Sequence, residues 1–131
     1  MTDTDTDAWP SDDDLGRLGN AEEIEISTRR EDGSLRAFVP IWVVAVDGAL
    51  YVRSYRGATG AWYRHASRHS SGSVRRDGLR RDIAFVHPSD EVRDVIDDAY
   101  RDKYARYGES YLRTMLAEPA VVATLRLVPQ P

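Results

Sequence analysis

Apolar and polar positions alternate in short runs along most of the chain, and each run stops at a turn signal. Glu23-Ile24-Glu25-Ile26-Ser27 alternates strictly, as a strand with one buried face should. Asp32-Gly33 follows as a hairpin signal. Residues 36–46, Arg-Ala-Phe-Val-Pro-Ile-Trp-Val-Val-Ala-Val, are apolar on both phases. That pattern predicts a single strand covered on both faces, central in a sheet or wrapped in a barrel. Pro40 has no N–H to give a ladder, so a bulge or an unpaired edge is expected there. Asp47-Gly48 turns the chain back into Ala49–Tyr55, with Leu50 and Val52 on one face and Tyr51 and Arg53 on the other. A further hairpin joins Ser73–Arg76 to Leu79–Val86 around Asp77-Gly78, and residues 121–128 read as the last strand.

Helical signals fall between these runs. Ser11, three residues before Asp14, is an N-cap for a short helix over 11–18. Arg56-Gly57-Ala58-Thr59-Gly60 breaks the strand pattern, and Ala61–His69 reads as a short helix. Pro88-Ser89-Asp90-Glu91 opens a longer helix, with acid in its first turn, that runs to about Tyr107. Gly108 interrupts it, residues 109–117 form a second piece, and Pro119 ends that piece. Six strands, mostly in hairpins, with a helix after the third strand and more helices late in the chain, describe an α+β domain built on a small antiparallel barrel. Hairpin counting leaves an open sheet as an alternative.

A chain of 131 residues suits one domain. With 41% apolar and 31% charged residues it has a soluble domain's composition, and with no cysteine it has no disulfide, thiolate metal site or cysteine nucleophile. No apolar run approaches the roughly 20 residues of a membrane span, and no secretory leader is visible, so a cytoplasmic protein is expected. Residues 1–10, Met-Thr-Asp-Thr-Asp-Thr-Asp-Ala-Trp-Pro, read as a disordered acidic tail in which Trp9 is the only candidate for docking, and residues 11–131 as the single domain. Charge is uneven: residues 1–14 carry six aspartates and no base, while residues 29–81 carry eleven arginines against four acids, for a net chain charge of −4. A basic middle in an acidic chain points to a local anion site or to solvated strand edges, not to a nucleic-acid surface.

Chemistry is best placed where the strand pattern breaks. In Arg53-Ser54-Tyr55-Arg56-Gly57-Ala58-Thr59-Gly60-Ala61-Trp62-Tyr63-Arg64 a strand ends, two glycines let the backbone approach an anion, and a helix begins. Ser54, Thr59, Arg53, Arg56 and Arg64 add donors that suit phosphate. An ordinary strand-to-helix connection is the alternative, and neither a Walker loop nor a Rossmann fingerprint is present. Trp42, Tyr51, Trp62 and Tyr63 are candidate walls for a flat ring or plain core. Tyr100, Tyr104, Tyr107 and Tyr111 share one helical face if the helix continues through Gly108, and a tyrosine there can donate a proton or simply pack. His65 and His69 stand four apart without the acid of a zinc-hydrolase motif, so they read as surface histidines, and His87, before Pro88 at a strand end, carries no assigned role.

The sequence from Val39-Pro40-Ile41-Trp42-Val43-Val44, through Asp47-Gly48, Leu50-Tyr51-Val52-Arg53-Ser54, Arg56-Gly57 and Gly60-Ala61-Trp62-Tyr63, to Asp82-Ile83-Ala84-Phe85-Val86 resembles the FMN-binding split-barrel superfamily over about residues 22–128. That superfamily includes pyridoxamine-phosphate-oxidase-like proteins and deazaflavin-dependent nitroreductases, and the chain looks most like a branch labelled as a domain of unknown function. The resemblance implies a six-stranded split barrel, a homodimer, and FMN or a deazaflavin in a groove beside the barrel. It places Arg53, Ser54, Arg56, Thr59 and Gly60 at the cofactor phosphate, beside the loop donor Arg64 noted above, and Trp42 and Trp62 near the ring or ribityl chain, with arginine where better-known members carry lysine or serine. The activity implied is a flavin- or deazaflavin-dependent oxidoreductase acting on a small organic substrate, with Tyr63 or Tyr104 as proton donor. A cofactor-free isomerase, cyclase or dehydratase using the same pocket, and a non-catalytic module for anionic ligands, are the alternatives; neither membrane nor nucleic acid is an expected partner.

Overall fold

The computed structural model describes Trp9 and residues 11–130; the rest of the expected tail lies outside the described residues. Helix α1 (Asp12–Gly19) starts at Ser11, whose hydroxyl accepts the Asp14 N–H at 3.2 Å. Seven strands follow: β1 (Ile24–Thr28), β2 (Val39–Ile41), β3 (Val44–Val46), β4 (Ala49–Arg53), β5 (Ser71–Arg76), β6 (Leu79–Val86) and β7 (Thr124–Pro129). Helix α2 (Ala61–Arg68) lies between β4 and β5, and α3 (Arg93–Tyr104), α4 (Glu109–Leu116) and α5 (Glu118–Val122) lie between β6 and β7.

The strands form one antiparallel sheet in the order β2-β1-β5-β6-β7-β4-β3. Its two edges, β2 and β3, are neighbours in sequence, separated only by Trp42 and Val43. The sheet must therefore curl until its edges meet, which is the form of a split barrel. This corrects the expected count of six strands. The apolar run 36–46 is not one strand but two, because the backbone leaves one edge at Ile41 and enters the opposite edge at Val44. Pro40 sits on an edge strand, facing Glu25, where its missing N–H costs little.

Curling gives both faces something to bury. The barrel interior holds Ile24, Ile26, Val43, Leu50, Val52, Val74, Leu79, Ile83, Phe85, Leu125 and Leu127, with Trp9 and Leu18 in the same cluster. The outer face of β3 and β4 packs Val44, Ala49 and Tyr51 against Ile96, Tyr100, Tyr104 and Met115 of the late helices. The alternation along β4 thus divides the two cores.

Two late features also differ from expectation. Pro119 does not end a helix but stands in the first turn of α5, a position its fixed φ suits, so β7 begins only at Thr124. Gly108, at φ +102°, separates α4 from the turn after α3, so the tyrosine face does not continue: Tyr100 and Tyr104 are buried and Tyr111 is 68% exposed.

Candidate functional site: an arginine groove and the glycine loop beside it

Two adjoining depressions flank α2. The larger, about 510 Å³, is lined by Arg29, Arg30, Glu31, Asp32 and Arg36 from the β1–β2 connection and by His65, Arg68 and His69 from the end of α2. The smaller, about 360 Å³, is lined by Ala58, Tyr63, Arg64, His65, Ser67 and Arg68. His65 and Arg68 belong to both, so α2 is their common wall.

The β1–β2 connection is shaped by its own polar side chains. Asp32 accepts the Ser34 N–H at 2.9 Å and its hydroxyl at 2.7 Å, and these bonds hold its carboxyl below the usual range. The Arg29 guanidinium donates to Gly33 O at 2.8 Å and pairs with Asp82 at 3.0 Å. Arg30 donates through Nη1 to Leu35 O at 3.1 Å, and Arg36 through Nη1 to Arg29 O at 2.9 Å. These contacts leave guanidinium donors over on Arg30 and Arg36. Arg64 and Arg68 have no ion pair among the described residues. Four arginines against Glu31 and Asp32 make the larger groove electropositive. His65 feels it: partial burial first, then the charges of Arg36, Arg64, Arg68 and Arg30, push its pKa below the ordinary value.

The glycine loop is tightly built. Gly57 takes φ +69°, and a Cβ there would meet Pro119 O at 3.0 Å. A Cβ on Gly60 would collide with Ser54 Oγ. Gly57 N–H donates to Ser54 O at 2.9 Å, Gly60 N–H to Gly57 O at 3.1 Å, and the Thr59 hydroxyl to Arg56 O at 2.9 Å. Arg56 is exposed, with its guanidinium over the Tyr55 ring.

The residues singled out from sequence fall into three places. Arg64 and Tyr63 border the smaller groove, with Tyr63 9% exposed and its ring 6.0 Å from that of His87. Ser54, Arg56, Thr59 and Gly60 form the loop leading into α2, while Trp62 packs partly buried against the barrel core, its ring 6.4 Å from Phe85. Arg53, Trp42 and Tyr104 lie instead against the late helices. Arg53 is 1% exposed; its Nε donates to Thr124 Oγ1 at 2.9 Å and its Nη1 to Met115 O at 3.0 Å. Nη1 also sits 2.7 Å from Asp97 Oδ1, close enough for charge attraction though not aligned as a hydrogen bond. Tyr104 stacks on Trp42 with centroids 3.9 Å apart, and its hydroxyl bonds both Val43 O at 2.9 Å and Glu22 O at 2.7 Å. Burial pushes that hydroxyl's pKa well up.

Sequence reasoning missed Arg29, Arg30, Arg36 and Arg68 as a group; His69 is exposed, as expected, and His65 is half-buried beside them. The available signal was the density of arginine between residues 29 and 81. Only the fold shows that a hairpin more than thirty residues upstream meets the far end of α2.

The donor set fits an anionic cofactor end. Planar guanidinium forks match phosphate oxygens, and the adjoining Ala58 and Tyr63 wall is less polar. Among the described residues no cluster of histidine, cysteine, aspartate or glutamate is arranged to hold a metal ion, and no helix is long and apolar enough to cross a membrane.

The curled sheet is a split barrel, a fold shared with solved structures described as an F420 reductase and as an FAD and heme binding protein. The chain belongs to the DUF2255 family, described as an uncharacterized protein conserved in bacteria, whose family model matches residues 14–127. No curated protein matches its sequence. Among solved structures it is similar to a domain-swapped dimer at TM-score 0.59 and 16% identity, over 83% of this chain and 80% of that one. It is similar to an F420 reductase at TM-score 0.51 and 15% identity, over 88% and 92%. It is also similar to an FAD and heme binding protein from Mycobacterium smegmatis at TM-score 0.55 and 15% identity, over 91% and 65%. At these identities the likeness shows the fold.

Proposed function

We propose that this protein is an oxidoreductase that uses a flavin or a deazaflavin to reduce or oxidise a small organic substrate, and that it works as a homodimer. The observation that carries the reading is the electropositive groove at α2, on a fold whose structural relatives include a reductase named for F420 and an FAD and heme binder. Arg29, Arg30, Arg36 and Arg68 would hold the phosphate end, and Arg64 would add a donor from the smaller groove. Ser54, Arg56, Thr59 and Gly60 would shape the loop that presents α2, and Trp62 would back the ring from the barrel side. Arg53 would serve that loop indirectly, by fixing the end of β4. A bound flavin or deazaflavin supplies hydride transfer, which no side chain of this chain can supply. The protein's part is to bind the anion, orient both rings, exclude water and provide a proton. Tyr63 suits the last role because it borders the smaller groove. The Tyr104 hydroxyl is engaged with two backbone carbonyls, so its role in this reading is to hold the barrel joint.

The test is a thermal-shift titration of the purified protein with FMN, FAD and the deazaflavin coenzyme, together with its visible absorption spectrum. Saturable stabilisation by one of them, lost in Arg30→Ala/Arg68→Ala, is the expected result. Absence of colour and of any shift with all three would overturn the redox reading.

A further inference from the structure

His65 stands on the wall shared by the two depressions, among charges that are mostly of one sign. From the β1–β2 connection it faces Arg29, Arg30 and Arg36, together with Glu31 and Asp32. From its own helix it faces Arg64, Arg68 and the exposed His69. Asp32 is engaged by Ser34 and Glu31 is exposed, so the charges that act most on the imidazole are those of Arg36, Arg64, Arg68 and Arg30. They repel the imidazolium and favour the neutral ring. An anion seated against the same guanidinium groups reverses that field, and the imidazolium then becomes favourable and supplies a further N–H donor.

The donors also bear on the class of anion. Arg29 is spent on Gly33 O and Asp82. Arg30 and Arg36 engage the protein through Nη1, which leaves each of them an Nε–Nη2 edge. Arg68 has no ion pair among the described residues. Each guanidinium edge matches two oxygens. Three such edges, two from the β1–β2 connection and one from α2, ask for more acceptors than the three terminal oxygens of one phosphate ester. Two phosphates in tandem supply more oxygens and more reach between the two elements.

We propose that the larger groove takes an anion of two phosphates in tandem, and that His65 binds it as an imidazolium, gaining its proton from solvent as the anion arrives. This rests on the groove being the anion site proposed above and adds the class of anion and the residue that senses it. Proton uptake and affinity are then two readings of one coupling: an anion that favours the charged imidazole is itself held more tightly by it.

The test follows the His65 imidazole of the full chain by NMR between about pH 5 and about pH 8, at low salt, without anion and with saturating inorganic pyrophosphate. Loss of its signal in His65→Gln assigns it. Pyrophosphate should raise the His65 midpoint by about one pH unit and leave His87, which does not line the groove, in place. Reciprocity fixes the second number. Calorimetric titration should show wild type gaining about tenfold in pyrophosphate affinity over His65→Gln on going from about pH 8 to about pH 5, a ratio from which the titration of pyrophosphate itself cancels. Inorganic phosphate should bind at least ~10-fold more weakly than pyrophosphate. Pyrophosphate that binds without moving the His65 midpoint, or with the same pH dependence in His65→Gln, overturns the role of His65. Phosphate that binds as tightly as pyrophosphate overturns the class of anion. Both of these results leave the groove standing as an anion site. Absence of binding by either anion across the pH range overturns the proposal and the cofactor role of the groove together.

Discussion

Asp97→Ala tests whether Arg53 is scaffold or ligand. The Arg53 guanidinium is 1% exposed and lies 2.7 Å from a carboxylate that is itself 14% exposed. Removing one partner of a buried pair leaves an uncompensated charge and costs about 3–5 kcal/mol. Two neutral acceptors, Thr124 Oγ1 and Met115 O, remain on the guanidinium, which places the expected loss near the lower end, ~3 kcal/mol. For a chain of this length that corresponds to a fall in Tm of roughly 10 °C. Replacing the whole pair, Arg53→Met/Asp97→Leu, removes the charge problem along with the attraction, so the double variant should recover most of the loss. Urea unfolding of wild type, Asp97→Ala and the double variant measures both numbers, and FMN titration of the same proteins adds the functional half. If Arg53 is scaffold, the double variant binds FMN as the wild type does. A loss below about 1 kcal/mol in Asp97→Ala, or a double variant no more stable than the single one, would refute the energetic argument. A well-folded double variant that no longer binds FMN would return Arg53 to the phosphate.

The other expectations are more local. Arg30→Ala and Arg68→Ala should each weaken FMN binding by about 10- to 100-fold, the worth of a charge-assisted hydrogen bond, without lowering Tm; equilibrium titration checks this. Gly57→Ala combines a positive φ with a Cβ 3.0 Å from Pro119 O, and should cost about 1–3 kcal/mol in urea unfolding. Tyr104→Phe leaves the Val43 N–H, 3.0 Å from the lost hydroxyl, without that acceptor; it should cost about 1–3 kcal/mol and speed hydrogen exchange at Val43. His65 titrates below its ordinary value of 6.5, so the folded state binds fewer protons than the unfolded state in that window. Its contribution is therefore intact above 6.5 and is lost as pH falls towards the folded midpoint, which NMR titration and unfolding at two pH values measure together.

Much of the barrel was legible because hairpins announce themselves locally. Asp47-Gly48 and Asp77-Gly78 both place two residues at positive φ, as their sequence suggests, and each joins the strands expected. What escaped was whatever depends on closure. The run from Val39 to Val46 has no polar mark at Trp42-Val43, because the joint between sheet edges is buried by Tyr104 and needs none. Arg53 invited a ligand role by standing next to two glycines. Its burial depends on α3 and α4 covering the outer face of β4, and no pattern within β4 encodes that cover. The groove is likewise a product of convergence: Arg30 and Arg36 each look like solvated loop arginines until α2 brings Arg68 and His65 against them.

The joint at Trp42-Val43 also bears on how the domain tolerates change. The residue pair Trp42-Val43 carries the chain across the seam from β2 to β3, and Lys103 and Tyr104 fasten it through Val43, with Lys103 Nζ 2.7 Å from both Gly19 O and Val43 O. New chain ends opened there would let the seam part and expose two strand edges at once, a template for pairing with other molecules. The hairpin tips at Asp47-Gly48 and Asp77-Gly78 carry no such burden. A circular permutant cut at the Asp77-Gly78 tip should stay soluble, whereas one cut at the seam should aggregate, even though both breaks are a single peptide bond.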